Sequence, residues 1–246
     1  MDIGEMVEAS IDRPARTVGI VGGTGKLGMA LAARFARAGS SVVIGSRVAA
    51  KAVDAAAAVG QNAPASAGAV VGADNATACA VDGVVFIAVP YEGLDDLIAG
   101  LAPSVGERIV VSTVVPVRFV KGEGPSLIDV QAGSACEQIA AQLPDARVVG
   151  ALQTLSYVTL RDLGRPVDSD VILTGDDDGA KAVVAHLLTA LGDVRMIDGG
   201  PLRNSRFVEQ LTILLLSINA RYRRHTGVRI TDLADDLVAS WTAPAL

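Results

Sequence analysis

Residues 17–47 read TVGIVGGTGKLGMALAARFARAGSSVVIGSR, and their order is strand, glycine-rich turn, helix, strand. Thr17 to Val21 is a short apolar run, and Gly23-Thr24-Gly25-Lys26-Leu27-Gly28 follows it as G-x-G-x-x-G. Leu27, Ala30, Leu31, Phe35 and Ala38 then recur at helical spacing, and Gly39 falls where a helix C-terminus calls for a left-handed residue. Ser41 to Ile44 resumes as a strand. In this setting each motif glycine has a task. Gly23 permits the tight turn, Gly25 removes the Cβ that would block a pyrophosphate, and Gly28 lets the helix close on the strand. The helix start, from Thr24 through Lys26 and Leu27, turns unpaired N–H groups and the positive dipole end toward the phosphates.

The second strand ends in Gly45-Ser46-Arg47. A carboxylate at that point would hydrogen-bond a ribose 2′-OH and repel a 2′-phosphate. Ser46 and Arg47 offer a hydroxyl and a guanidinium fork instead, and Lys51 adds a second cation one helical turn on. The expected cofactor is therefore NADP(H) rather than NAD.

Bulk properties agree with a soluble α/β protein. Of 246 residues 50% are hydrophobic and only 3% aromatic, so the core must come from Ala, Val, Leu and Ile. A net charge of −6 argues against a general nucleic-acid binder. Two cysteines, Cys79 and Cys136, form neither a disulfide framework nor a metal-ligand spacing, which suits a reducing compartment. Residues 1–16 are acidic without a signal-type apolar core, and are expected to be a flexible tail. No apolar run approaches the roughly 18 residues of a membrane span. A cytoplasmic protein with no membrane partner is the expectation.

Outward from the opening unit, strands and helices keep alternating. Strands are expected at 69–71, 83–90, 108–116, 147–152, 170–174 and 194–197, with helices at 48–59, 92–101, 134–142 and 180–191 between them. Asp74 or Asn75 is placed to cap a further short helix. The fold class is α/β, a Rossmann-like doubly wound parallel sheet over residues 17–200. Residues 201–246 form a smaller C-terminal helical part, expected to supply substrate pocket and dimer contact. Its longest helix, 203–224, carries Phe207, Val208, Leu211, Leu214, Leu215, Leu216 and Ile218 around most of its circumference, so burial on more than one side is predicted.

Ligands of open α/β sheets lie beyond the carboxyl ends of the strands. That rule selects Ala88-Val89-Pro90-Tyr91 and Val114-Val115-Pro116 as walls beside a nicotinamide ring. Gly175-Asp176-Asp177-Asp178-Gly179 lacks the alternating acids of a calcium loop, and helix capping explains it better. His186 and His225 have no ligand-spaced partners, and there is no G-x-S-x-G elbow, so zinc-enzyme and hydrolase readings lack support. Arg221, Arg223 and Arg224 are equally well read as cations at a helix C-terminus or as a site for an anionic tail.

Beyond the opening unit, the strings AVPYEG, VVSTVVPV, SACEQIA, VVGALQT, TGDDDGAK, IDGGPLRNSRFVEQLT and INARY accompany GGTGKLG and VVIGSR. Together they resemble NADPH-dependent reductases of the deazaflavin coenzyme F-420, from Thr17 nearly to Leu233. The resemblance implies hydride exchange between NADP(H) and coenzyme F-420 as co-substrate, in a homodimer. It puts nucleotide contacts on Thr24, Ser46, Arg47 and Lys51. It puts the deazaflavin pocket around Gln153, Thr154, Leu155, Gly200, Pro201 and Thr212. Two departures stand out: Gln153 replaces a usual His, and Ser156-Tyr157 replaces a small Pro-Ala pair. They keep open an NADP-dependent reductase of the same build acting on an imine, ketone or metal–flavin acceptor. A non-catalytic NADP-binding regulator is the third reading. No side chain is assigned as general acid.

Overall fold

The computed structural model describes residues 17–234; the expected tail at 1–16 lies outside them, as do residues 235–246. Its centre is an eight-stranded sheet of order β10-β9-β8-β5-β4-β1-β2-β3. The strands are β1 (Thr17–Val21), β2 (Val42–Ser46), β3 (Val70–Asp74), β4 (Gly83–Ile87), β5 (Ile109–Ser112), β8 (Arg147–Gly150), β9 (Ser169–Gly175) and β10 (Val194–Asp198). Helices α1 (Lys26–Arg37), α2 (Ala49–Gln61), α3 (Asn75–Cys79), α4 (Leu94–Val105) and α5 (Ala135–Gln142) connect the first six of these. Pairing is parallel from β3 through β1, β4 and β5 to β8. Order reverses between β1 and β4, which makes that gap the topological switch point.

Successive strand residues point to opposite faces, and here both faces are buried. Ile20 and Phe86 belong to one core layer with Leu31, Phe35 and Ile44. Val21 and Ile87 belong to the other, with Leu94, Ile98 and Ile139. Phe35 and Phe86, two of the few aromatics, meet at 5.2 Å between ring centroids. The end of α1 closes as expected: Gly39 is left-handed at φ +92°. Its N–H reaches Ala36 O and that of Ser40 reaches Phe35 O, so the last carbonyls are satisfied.

Four features depart from the sequence reading. First, β9 pairs with β8 antiparallel, while β10 follows β9 in parallel. The connection after β8 holds only the short helix α6 (Tyr157–Arg161) and remains at the edge where β8 ends, so the chain re-enters the sheet in the opposite sense. Second, β6 (Val117–Val120) and β7 (Gly124–Leu127) form a separate antiparallel hairpin. Third, α6 itself was unforeseen. Arg34 of α1, 6% exposed, fastens it by donating to Leu160 O at 2.6 Å and Asp162 O at 2.9 Å. Its third branch reaches Leu191 O at 2.6 Å, beyond α7 (Asp178–Leu188).

The fourth concerns the long C-terminal helix. A 3-10 turn at Leu202–Asn204 precedes α8 (Ser205–Tyr222). One face of α8 is buried, through Ser205, Val208, Glu209, Thr212 and Leu215. Phe207 is 64% and Leu214 56% exposed, so within one chain the helix is not enclosed on two sides. The three consecutive acids act structurally. Asp177 accepts the Ala180 N–H to cap α7, Asp176 accepts the Leu202 N–H, and Asp178 pairs with Lys181.

Candidate functional site

The glycine turn is held by contacts that differ in detail from the motif reading. The left-handed residue is Gly22, at φ +70°, and a Cβ there would come within 2.5 Å of Val89 Cγ1 and 2.9 Å of Ala88 O. The turn and the wall beyond β4 are thus pressed together. Gly23 has its own crowding, 2.9 Å from an added Cβ to Ile20 O, while Gly28 packs on Gly23 Cα. Gly25 is open by comparison, with nothing nearer than 3.2 Å. Asn75 holds the turn from behind, its Oδ1 accepting the Gly22 N–H at 3.3 Å. It is free to do so because Asp74 caps α3, taking the Thr77 N–H at 2.7 Å.

Helix capping sets the start of α1 apart from several of its neighbours. Asp74, Ser134, Ser156 and Asp177 cap α3, α5, α6 and α7 with their side chains. The α1 N-terminus has no side-chain cap and no acid in its first turn, and it opens on the cleft. Its free N–H groups fit a pyrophosphate. The starts of α2, α4 and α8 also lack a side-chain cap, and that of α2 lies beside the end of β2. There Ser46 is buried and its Oγ accepts the Val48 N–H at 3.2 Å. Arg47 and Lys51 are exposed, and among the described residues neither forms an ion pair. Two cations, a hydroxyl and a helix N-terminus fit a 2′-phosphate.

At the switch point a cleft of about 900 Å³ opens. One wall is Gly25, Lys26 and Leu27 with Ala88, Val89 and Pro90. Thr113 and Val115, past the end of β5, and Gln153, Thr154 and Leu155, past the end of the neighbouring β8, also line it. Thr212, Leu215, Leu216 and Asn219 of α8 complete the lining. The cleft therefore joins most of the predicted nucleotide wall to most of the predicted deazaflavin pocket.

Some predicted residues are not part of that lining. Gly23 and Thr24 lie within the turn, and Ser46, Arg47 and Lys51 form the separate anion corner. Tyr91 instead donates its hydroxyl to Gln138 Oε1 on α5 at 2.8 Å, and burial raises the phenol above its ordinary range. Pro116 sits at the base of the β6–β7 hairpin, its carbonyl accepting the Ile128 N–H. Gly200 and Pro201 follow β10, whose carboxyl end points away from the cleft edge because β9 and β10 run against the others.

The Gln153 segment is strained into place. Leu152, just before it, is left-handed at φ 71°, an unusual state for a branched residue, and the Leu155 N–H closes the turn on Leu152 O. Gln153 is 5% exposed. Its amide nitrogen donates to Ser112 O at 3.3 Å and touches Cys136 Sγ, while its Oε1 has no partner. Below it, Glu209 accepts the N–H groups of Ala135 and Cys136 at 2.9 and 3.2 Å, tying α8 to the start of α5. Burial pushes the Glu209 carboxyl up to about 7 against the pull of those two donors.

Several lining residues were absent from the sequence-based set. Tyr157 places its ring 5.3 Å from Lys26 Nζ, across the cleft from the glycine turn. Phe119 reaches in from the hairpin, and Arg223, Arg224 and His225 close the far end. The arginines carried a signal as a charge cluster and Tyr157 as a departure from the resembled family, whereas Phe119 needed the hairpin to be known first.

A doubly wound sheet with an uncapped glycine turn, a cationic corner and a two-sided cleft at its switch point defines a dinucleotide-binding protein of the Rossmann class. A family model described as NADP oxidoreductase, coenzyme F420-dependent, matches residues 17–116. An F420-dependent NADP reductase of Methanothermobacter thermautotrophicus is 36% identical over 222 residues, spanning 89% of this chain and 96% of its own. The F420-dependent NADP reductase of Methanocaldococcus jannaschii is also 36% identical, across 88% of this chain and 98% of its own. A crystal structure assigned as an F420-dependent NADP-reductase of Arthrobacter sp. FB24 superposes with TM-score 0.73 at 29% identity, covering 88% and 99%. The chain belongs to the F420-dependent NADP reductase family, and its members are oxidoreductases.

Proposed function

We propose that this chain transfers a hydride between NADP(H) and coenzyme F-420. The observation that carries the reading is a shared cleft, lined both by the glycine turn and the 88–90 wall and by the Gln153 segment and α8. Transfer between two stacked rings needs donor and acceptor carbons roughly 3–3.5 Å apart in a dry pocket, and little side-chain chemistry. In this reading α1 holds the pyrophosphate, and Ser46, Arg47 and Lys51 hold the 2′-phosphate. Ala88, Val89, Pro90 and Val115 exclude water beside the nicotinamide, while Gln153, Thr154, Leu155 and Thr212 contact the deazaflavin. Reducing the deazaflavin by hydride also requires one proton, which solvent supplies; the proposal assigns no general acid.

The protein is further proposed to be a cytoplasmic homodimer, with residues after 200 acting as the part that supplies both the second pocket wall and the subunit contact. Phe207, Leu211, Leu214, Ile218 and Tyr222 recur on α8 at spacings that put them on one face, alongside the face that carries the cleft-lining Thr212, Leu215 and Asn219. Of these Phe207, Leu214 and Tyr222 are exposed. A second copy is the simplest cover for such a stripe.

Tyr157 favours one alternative, because its ring occupies cleft space near Lys26. A reductase of the same build with a smaller imine or ketone acceptor would tolerate that ring better. The test is absorbance at the deazaflavin band in a mixture of protein, NADPH and oxidised coenzyme F-420. Protein-dependent bleaching, with NADH a much poorer donor, is the expected result. Tight NADPH binding with an unchanged band would overturn the deazaflavin reading and turn attention to small carbonyl and imine acceptors.

A further inference from the structure

Resting on the proposed function, we infer that Arg223 and Arg224 bind the anionic side chain of the deazaflavin co-substrate, so that the cleft distinguishes a ligand carrying phosphate and carboxylates from its uncharged core. The protein is acidic overall, at −6, yet one end of its cleft is lined by Arg223, Arg224 and His225. Cations at a helix C-terminus are ordinary, and Arg224 does reach the Arg223 carbonyl at 3.3 Å. That role does not require them to line a cavity.

Independent observations show that the turn is built rather than frayed. Arg223 ends α8 in the left-handed conformation, at φ 53°, where glycine would be the relaxed choice. Asn219 Oδ1 then accepts both the N–H and the hydroxyl of Thr226, at 2.7 and 2.8 Å, folding the turn back onto the helix. Past it the chain is pinned to β9. Val228 O accepts the Asp170 N–H, and the fully buried Asp170 carboxylate accepts the Ile230 N–H and a two-pronged pair from Arg195. Residues 223–226 are thus held between two anchors. Among the described residues no carboxylate pairs with either arginine. Unpaired guanidinium groups at the mouth of a cleft are available to an anion.

The position also separates the two ligands. The NADP phosphates belong to α1 and the Ser46–Lys51 corner, on the wall made by the glycine turn. The arginine turn follows the α8 wall, which the proposal gives to the deazaflavin. The nucleotide is therefore not the anion it serves.

The test compares the wild-type enzyme with the double variant R223G/R224A, in which glycine relaxes the positive φ at 223. Steady-state rates are measured with coenzyme F-420 and with the deazaflavin core that lacks the phosphate-bearing acidic chain. The expected result is a KM for coenzyme F-420 raised roughly three- to tenfold, as two partly screened charge contacts would give. The KM for the core and for NADPH, and kcat, should stay unchanged. R223K/R224K should recover part of the loss, and added salt should raise the wild-type KM for coenzyme F-420 but not for the core. Equal effects on both deazaflavins would mean that the turn only shapes the cleft, and an unchanged KM for coenzyme F-420 would also overturn the inference. Wild-type enzyme that reduces neither deazaflavin would overturn the parent reading and this one with it.

Discussion

Arg47 stands where an NAD-binding site would carry a carboxylate, and it is exposed beside the uncapped start of α2. In the proposed reading its guanidinium would meet a ligand group only when a 2′-phosphate is present. Arg47→Glu should therefore weaken NADPH binding by tenfold or more while leaving NADH binding nearly unchanged or better. Isothermal titration with both nucleotides measures this, and an unaltered preference would sink the 2′-phosphate argument. Residues of this kind were legible in the sequence because they sit at fixed offsets from a glycine motif whose strand and helix can be read locally. Asn75 and Leu152 were not. Asn75 reaches Gly22 across 53 positions, and the left-handed backbone of Leu152 leaves no mark in composition. Gly200 and Pro201 illustrate the converse. The family resemblance places them at the pocket, and the residues lining the cleft do not include them.

Two anchors decide how elements present themselves to the cleft. Arg34 donates to carbonyls of α6, of the loop after it and of the turn after α7, and so fixes the helix that begins with Tyr157. Arg34→Met keeps the aliphatic packing but leaves those carbonyls unpaired, at a cost of roughly 3 kcal/mol, so thermal melting should show a lower Tm. Glu209 anchors α8 to α5, and its elevated carboxyl has a definite pH consequence. The folded chain binds this proton more tightly than the unfolded chain does. The contribution is complete below the ordinary value of 4.5, declines as pH rises, and is lost once pH passes about 7. The full loss is about 3 kcal/mol at most. Glu209→Gln, which mimics the protonated state, should flatten the dependence of Tm on pH between 5 and 8. An equally steep profile in the variant would remove Glu209 as its source. At this scale the βα alternation up to β5 was legible, since β1, β2, β4 and β5 are mostly buried apolar runs, and β3 follows a helix with its own period. The β6–β7 hairpin and α6 were not, being only four and five residues long in their strands and helix.

For the molecule as a whole, the unresolved balance lies on α8. Its amphipathic pattern is doubled: Val208, Thr212 and Leu215 face the protein, while Phe207, Leu214 and Tyr222 leave large apolar surfaces in water. Sequence periodicity calls for burial on more than one side, and within the single chain only one side is buried. Scattered apolar residues on a surface need no explanation, but a stripe repeated along several turns of one helix does. Phe119 and Leu127 on the neighbouring hairpin are 72% and 40% exposed as well, and Phe119 lines the cleft. A second copy packing on that surface would bury the stripe and brace the wall that carries Thr212 and Asn219, coupling assembly to the second-ligand pocket but not to the glycine turn. Leu214→Glu puts a charge in the middle of the stripe without touching the buried face. Its expected result is a sedimentation mass of one chain, NADPH affinity unchanged, and a KM for coenzyme F-420 that rises as α8 loses its brace. A variant that still sediments as a dimer would assign the contact to another face; one that is a monomer with both KM values unaltered would show that each chain completes its own cleft.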